Sequence, residues 1–138
     1  MTIQESDKPT IAVWFSCGAA SAVAAYETIR LYGDTHNVRI INNIVREEHP
    51  DNFRFLVDCI KWFDQPIEFA IHPDHQHCSA QEIWKKRNYM SGPKGAPCTS
   101  ILKRAARTHW EKENHHDFMV MGFTADEQKR HDMFALTE

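Results

Sequence analysis

The segment Ser16-Cys17-Gly18-Ala19-Ala20-Ser21 gathers small side chains and two hydroxyls directly after the apolar run Ile11 to Phe15. Where a strand turns into a helix through such residues, the first helical N–H groups are free and the helix dipole is positive. The backbone can then approach and hold a phosphate. A tight turn packed under a sheet needs the same small residues, and the segment matches neither GxGxxG nor GxxxxGK[ST]. Lys103, Arg104 and Arg107 are suited to phosphate or sulfate oxygens through charge-assisted hydrogen bonds, although a solvated basic helix face has the same composition. Asp126 and Glu127 are types that position Mg²⁺ beside nucleotide phosphates or orient Arg130. They are also the acids that any first helical turn favours.

Thiols and imidazoles form a second group of candidates. His72, His75, His77 and Cys78, with Cys98 farther along, are zinc-competent ligand types. The spacing His75-x-His77 is not that of a standard ligand pair and no second pair follows, so zinc is not expected; a zinc-stabilised adaptor is the function this cluster would otherwise support. Cys17 stands where a helix N-terminus stabilises thiolate, or it simply fills a tight turn. Cys59 falls beside the apolar stripe of a helix and is expected to be at least partly buried, whereas the polar surroundings of Cys78 fit an exposed thiol. Trp14, Trp62, Trp84 and Trp110 fall on strand or helix faces and read as core.

These groups need elements to hold them. Ile11 to Phe15 is a continuous β-prone run, the pattern of a strand buried on both faces, and Ala19 to Leu31 is an Ala-rich helix stopped at Gly33. Val38 to Val45 reads as a second strand, interrupted by Asn42-Asn43. Pro50 then opens a helix whose apolar stripe is Phe53, Leu56, Val57, Ile60 and Phe63, ended by Pro66. Ile67 to Ile71 reads as a third strand. Ser79 and Glu82 form a capping-box pattern ahead of a helix running to about Tyr89, and Ser91 to Pro97 is a Gly/Pro-rich loop. Ile101, Leu102, Ala105, Ala106 and His109 line one face of a further helix. Phe118 to Met121 is a fourth strand, and Thr124 with Glu127 repeats the capping-box spacing before a last helix beginning near Ala125. Strands alternating with helices imply an α/β fold, a doubly wound and mostly parallel sheet of about four strands. In such sheets ligands sit beyond the carboxyl ends of the strands, here Ser16 to Ser21, Asn42-Asn43 and Gly122 to Glu127.

Composition narrows the function classes. At 138 residues the chain is the size of one domain. Its 42% hydrophobic residues supply a core without a disulfide framework. A formal charge of −3 argues against general nucleic-acid or anionic-membrane binding, so an anion site must be local. No apolar run reaches the roughly 18 residues of a membrane span. Glu5 and Asp7 stand where a signal peptide carries positive charge, and the four cysteines lack CxxC spacing. Reduced thiols and a cytoplasmic location are expected.

Four segments resemble one family. Val13-Trp14-Phe15-Ser16-Cys17-Gly18-Ala19-Ala20-Ser21 resembles the SGGxDS pyrophosphate loop of the adenine-nucleotide alpha-hydrolase-like (PP-loop ATP pyrophosphatase) superfamily, and specifically its phosphoadenosine phosphosulfate (PAPS) reductase-like branch. Glu48-His49-Pro50-Asp51-Asn52 resembles the start of that branch's second helix, Cys98-Thr99-Ser100-Ile101-Leu102-Lys103 its Cys-Thr-x-x-Leu-Lys segment, and Gly122 to Arg130 its Gly-x-x-x-Asp-Glu-x-x-Arg segment. The resemblance covers about Ile11 to Arg130 and is closest to short bacteriophage members. It implies one Rossmann-like domain over residues 1–138 that binds ATP, AMP or a PAPS-like nucleotide. Ser16, Cys17, Gly18, Ala19, Ala20 and Ser21 would hold the phosphates. Asn42, Asn43, Gly122 and Phe123 would flank base and ribose, with Lys103, Asp126, Glu127 and Arg130 around them. Mg²⁺ would accompany the bound nucleotide, for attack on the α-phosphate with pyrophosphate leaving; sulfonucleotide reduction is the other family activity. Three features depart from the pattern. Cys17 replaces the first loop glycine, and Ala20 replaces the loop aspartate that organises metal and phosphate. The family's C-terminal Glu-Cys-Gly-x-His segment does not occur before Glu138, which implies a short version of the family. The alternative that these departures favour is a non-catalytic nucleotide-binding or interaction module.

Overall fold

The computed structural model describes residues 7–88, 90 and 99–137, and helices separate all four strands, two of them between the third and the fourth. The strands are β1 (Thr10–Trp14), β2 (Asn37–Asn42), β3 (Glu68–Phe69) and β4 (Phe118–Met121). The α-helices are α1 (Ala19–Tyr32), α2 (Pro50–Phe63), α3 (Ala80–Arg87), α4 (Ala106–Glu113) and α5 (Gln128–Thr137). A π-helical turn over Thr99–Ala105 leads into α4, and a 3-10 turn over Ala125–Glu127 leads into α5. Every strand pairing is parallel, in the order β3-β2-β1-β4. The chain steps outward from β1 to β2 and β3, then returns to place β4 on the other side of β1. The reversal of strand order therefore falls between β1 and β4, where open parallel sheets leave a crevice.

β1 explains why both faces of the sheet are covered. Ile11, Val13 and Phe15 pack with Ile40 against Ala22 and Ala25 of α1 and Leu56, Cys59 and Phe63 of α2. Ala12, Trp14 and Ile41 face the other way and meet Trp110 of α4. Successive strand residues point to opposite faces, so an unbroken apolar run is what a twice-covered strand requires. Val13, Phe15, Ile40 and Ile41 are almost wholly removed from water, each contributing roughly 1.5–3 kcal/mol relative to an exposed position.

Several boundaries and faces differ from the sequence reading. β2 stops at Asn42 and β3 is cut to Glu68–Phe69, leaving Phe69 and Ile71 exposed at the sheet's edge. α3 stops at Arg87 rather than near Tyr89, because Asn88 adopts the left-handed conformation with φ 58°, which ends helices. Phe53 is 62% exposed. It lies in the first turn of α2, which overhangs the carboxyl edge of the sheet, so the buried side is made by Leu56, Cys59 and Phe63 with Phe55 and Ile60 beside them. Trp14 and Trp110 are core, their rings edge to face at 5.5 Å. Trp62 is not; it is half exposed and stacks on Tyr26 of α1 at 4.4 Å. Cys78 is buried rather than exposed. The expected Ser91 to Pro97 loop and Cys98 lie outside the described residues.

Candidate functional site

Beyond the carboxyl ends of β1 and β4 opens a cleft of about 580 Å³, within the usual span of small-molecule sites. Gly18 to Ser21 form one side of it, Met121 to Thr124 another, and Lys103, Arg104 and Arg107 a third. Gly122 determines how closely the first two sides approach. A Cβ on Gly122 would stand 2.5 Å from Ser21 Cα and 2.6 Å from its nitrogen, distances that only glycine avoids. The end of β4 thus rests directly on the first turn of α1.

Ser21 shapes the loop after β1. Its Oγ donates to the Gly18 carbonyl at 3.0 Å and accepts from the Ser16 N–H at 3.1 Å, with Ser16 Oγ also 3.1 Å away. A hydroxyl has one proton and two lone pairs, so this buried group is fully used in closing the turn and has nothing left for a ligand. The amides are different. No side chain caps α1, and its first helical bond runs from the Ala22 N–H to the Gly18 carbonyl. The N–H groups of Ala19, Ala20 and Ser21 therefore have no intrahelical acceptor, and these residues line the cleft.

Of the two readings of Cys17, a thiolate at a helix N-terminus and a residue filling a tight turn, the structure has the second. Its φ of 62° is left-handed, the conformation glycine adopts most readily, and the side chain packs against the core rather than lining the cleft. Burial foremost, and then the Glu48 charge, push its thiol up to about 11. Turned inward ahead of the helix, the sulfur gains no net stabilisation of its thiolate. Burial likewise raises the thiols of Cys59 and Cys78.

The cations in the cleft are held by neighbours. Lys103 Nζ lies 2.9 Å from a Glu48 carboxylate oxygen. The Arg107 guanidinium reaches Met121 Sδ at 3.9 Å, lies 5.4 Å from the Phe134 ring centre and pairs loosely with Glu111 at 3.7 Å. Arg130 pairs with Glu127 and sits over the Phe123 ring at 5.9 Å. Glu127 accepts from the Thr124 N–H at 3.1 Å and its hydroxyl at 2.9 Å, completing the expected capping box. Those bonds, the backbone one foremost, hold its carboxyl below the usual carboxylate range. Asp126 does not line the cleft; the Thr124 hydroxyl is the main cause of its lowered pKa. Asn42 donates to the Phe15 carbonyl at 2.8 Å and Asn43 to the Ala70 carbonyl at 3.3 Å, fastening the ends of β1, β2 and β3 at the rim.

Sequence reasoning favoured Lys103 over its neighbours, yet Arg104 and Arg107 line the same wall. Ile101, Leu102 and Ala105, expected to belong to an ordinary helix, instead belong to the π-helical turn, a rare form found often at functional sites. Glu48 was identified only as part of a helix start, and its pairing with Lys103 joins residues far apart in sequence. The adjacent Glu47 accepts from the Ser79 hydroxyl at 2.5 Å and the Ala80 N–H at 2.6 Å. Burial alone would raise its carboxyl, but these bonds and one from the Gln81 N–H together bring it down. Glu47 therefore belongs to the N-terminus of α3, not to the cleft.

The acids lining the cleft do not fit a dedicated Mg²⁺ site. Glu48 is divided between Lys103 and Asn52, Glu127 is used by Thr124 and Arg130, and Ala20 has no carboxylate. Mg²⁺ demands near-octahedral oxygen ligands, and no free carboxylate here supplies one. Among the described residues no three His, Cys, Asp or Glu side chains gather as a metal site. His72 Nδ1 instead accepts from the Asp74 N–H at 3.1 Å, and His77 meets Glu82 at 3.1 Å. No helix among the described residues is long and apolar enough to cross a membrane.

Comparison with known proteins assigns no family. No family model matches the chain, and no curated protein matches it.

Proposed function

We propose that the cleft binds an adenine nucleotide, ATP, AMP or a PAPS-like nucleotide, with phosphate at the start of α1. One observation carries this reading. α1 begins without a side-chain cap, on a cleft that also holds Lys103, Arg104, Arg107 and Arg130. The helices α2 and α3 and the 3-10 turn before α5 each have a capping side chain, from His49, Ser79 and Thr124. Uncapped amides facing cations favour an anion. The adenine half rests on the resemblance of the four sequence segments, with Asn42 and Asn43 on one side of the base and ribose and Gly122 and Phe123 on the other. Asn42 Nδ2 is committed to Phe15, which leaves its carbonyl oxygen as the atom able to accept from an amino group.

A binding role is favoured over chemistry because the carboxylates among the described residues lining the cleft, Glu48 and Glu127, are already paired. Among the described residues the raised thiols of Cys17, Cys59 and Cys78 argue in the same direction against thioredoxin-dependent sulfite release from PAPS. These free thiols also fit a cytoplasmic location. Calorimetry with ATP, AMP, adenosine phosphosulfate and PAPS, each with and without Mg²⁺, tests the proposal. Saturable binding that survives removal of Mg²⁺ is expected; heats indistinguishable from dilution for all four would refute it.

A further inference from the structure

We infer that a smaller cavity beside the cleft binds an apolar α-amino acid, with its side chain on Phe53, its ammonium group on Glu48 and its carboxylate on Arg46. The cavity measures about 310 Å³, the lower limit of the usual small-molecule range. Its apolar wall is the first sign of a ligand. Ile44, Val45 and Phe53 line the cavity, and they belong to neither of the two core clusters. Ile44 and Val45 are half-buried, while Phe53 is 62% exposed. An apolar wall outside the core gains free energy when an apolar group covers it, and the ring of Phe53 favours an aromatic one.

The loop that carries this wall is already fixed. The Arg46 N–H donates to the Cys78 carbonyl at 2.8 Å and the Glu48 N–H to the Val45 carbonyl at 3.2 Å. Glu47 between them is bound to the start of α3. A preformed wall spares a ligand the cost of ordering it.

The polar groups of the lining select the rest of the ligand. Glu48 is half-buried and also lines the main cleft. One of its oxygens meets Lys103 Nζ at 2.9 Å and the other accepts from Asn52 Nδ2 at 3.3 Å. A carboxylate oxygen has two acceptor sites, so each can accept once more. Arg46 is exposed; its guanidinium only donates, in the fork that matches a carboxylate. His49 is used as the cap of α2, its Nδ1 accepting from the Asp51 N–H at 3.0 Å. An acceptor, a donor and an apolar wall together match a zwitterion with an apolar side chain. An apolar acid lacking the ammonium group would bring carbon against Glu48 and remove water from it, which is costly. An apolar amine would lose only the contact with Arg46, which water replaces.

Calorimetry on the full chain with L-phenylalanine, phenethylamine, hydrocinnamate and glycine tests this. No nucleotide is added, so its outcome and that of the nucleotide reading are separate. Saturable binding of L-phenylalanine is expected, with phenethylamine about tenfold weaker and hydrocinnamate and glycine about a hundredfold weaker. Phe53→Ala should weaken L-phenylalanine by about tenfold. Arg46→Gln should weaken L-phenylalanine by about tenfold and leave phenethylamine unchanged. Both side chains are exposed, and circular dichroism checks the folding of each variant. No binding of L-phenylalanine, or equal binding of any of the other three ligands, would overturn the inference. So would full-strength binding to Phe53→Ala, or equal losses of L-phenylalanine and phenethylamine in Arg46→Gln. Should either variant not fold, the four ligands on the natural protein decide the inference by themselves.

Discussion

The turn after β1 and the turn after β4 both lead into helical turns at the same cleft, yet they treat their backbone donors in opposite ways. After β4, Thr124 and Glu127 close a reciprocal capping box, and Arg130 neutralises the capping acid. After β1, Gly18 occupies the cap position with no side-chain bond, and the nearby Ser21 hydroxyl is used within the loop. A capped turn satisfies its own amides and favours stability; an uncapped one leaves them for a ligand at some cost in stability. The difference supports the proposed phosphate position at the start of α1 more sharply than the presence of cations does, because basic residues also occur on ordinary solvated faces.

Gly122→Ala should break this arrangement with the largest effect. Its Cβ would strike backbone atoms of Ser21 and Ala20, which cannot rotate aside, so the end of β4 must lift from α1. A loss of about 2–3 kcal/mol in stability is expected by chemical denaturation, accompanied by loss of nucleotide binding. Native stability with full binding would show that the two turns do not depend on each other.

Gly18→Asp makes the first turn resemble the second. Gly18 already has the extended backbone of a cap residue, φ −102° and ψ 160°, and a Cβ there would meet Ser16 Oγ at 3.6 Å, an ordinary contact. The new carboxylate should cap α1 and raise stability by only about a few tenths of a kcal/mol. By filling the amides with its own charge it should weaken nucleotide binding by about a hundredfold. Binding that persists at full strength would move the phosphate elsewhere.

A smaller effect separates the turns by pH. The Cys17 thiol has a folded value of about 11 against an unfolded 9.0, so the fold favours its protonated form. The stability linked to it is complete below pH 9 and is lost as pH rises through 11. Thermal melts across that range should fall less steeply for Cys17→Ala than for the natural chain; parallel curves would refute the linkage. Glu127 gives the smallest change, with the opposite sign. Its lowered carboxyl contributes stability above the unfolded value that is lost as pH falls through the folded one. Hydrogen exchange should show α5 amides losing protection in acid before those of α1, and simultaneous loss would contradict the expectation.

Much of this was legible because it was local. The apolar run before Ser16, the Ala-rich helix and the Thr124 to Glu127 box are patterns over a few residues, and each formed where the sequence placed it. Burial faces were less legible. The stripe through Phe53 has helical spacing, but which residues meet the sheet depends on how far α2 overhangs it, and spacing does not encode that. Trp62 was read as core from its type, whereas its position opposite Tyr26 leaves it half in water. The pairing of Glu48 with Lys103 spans a long stretch of chain, and the packing of the Cys17 sulfur against the core follows from the left-handed turn there. The faces of α2, the exposure of Trp62 and the Glu48–Lys103 pair depend on tertiary placement and have no signature in local spacing.

The perpendicular pair of Trp14 and Trp110 has an optical consequence. Trp14 ends β1 and lines the cleft, while Trp110 belongs to α4, and their ring centres are 5.5 Å apart at 80°. Two indoles fixed so close in a rigid, chiral setting couple their transition dipoles and produce a paired circular-dichroism band that exists only while α4 is docked. Because one of the two chromophores borders the cleft, the same band responds to whatever occupies it, so the folded state carries its own spectroscopic probe of docking and occupancy.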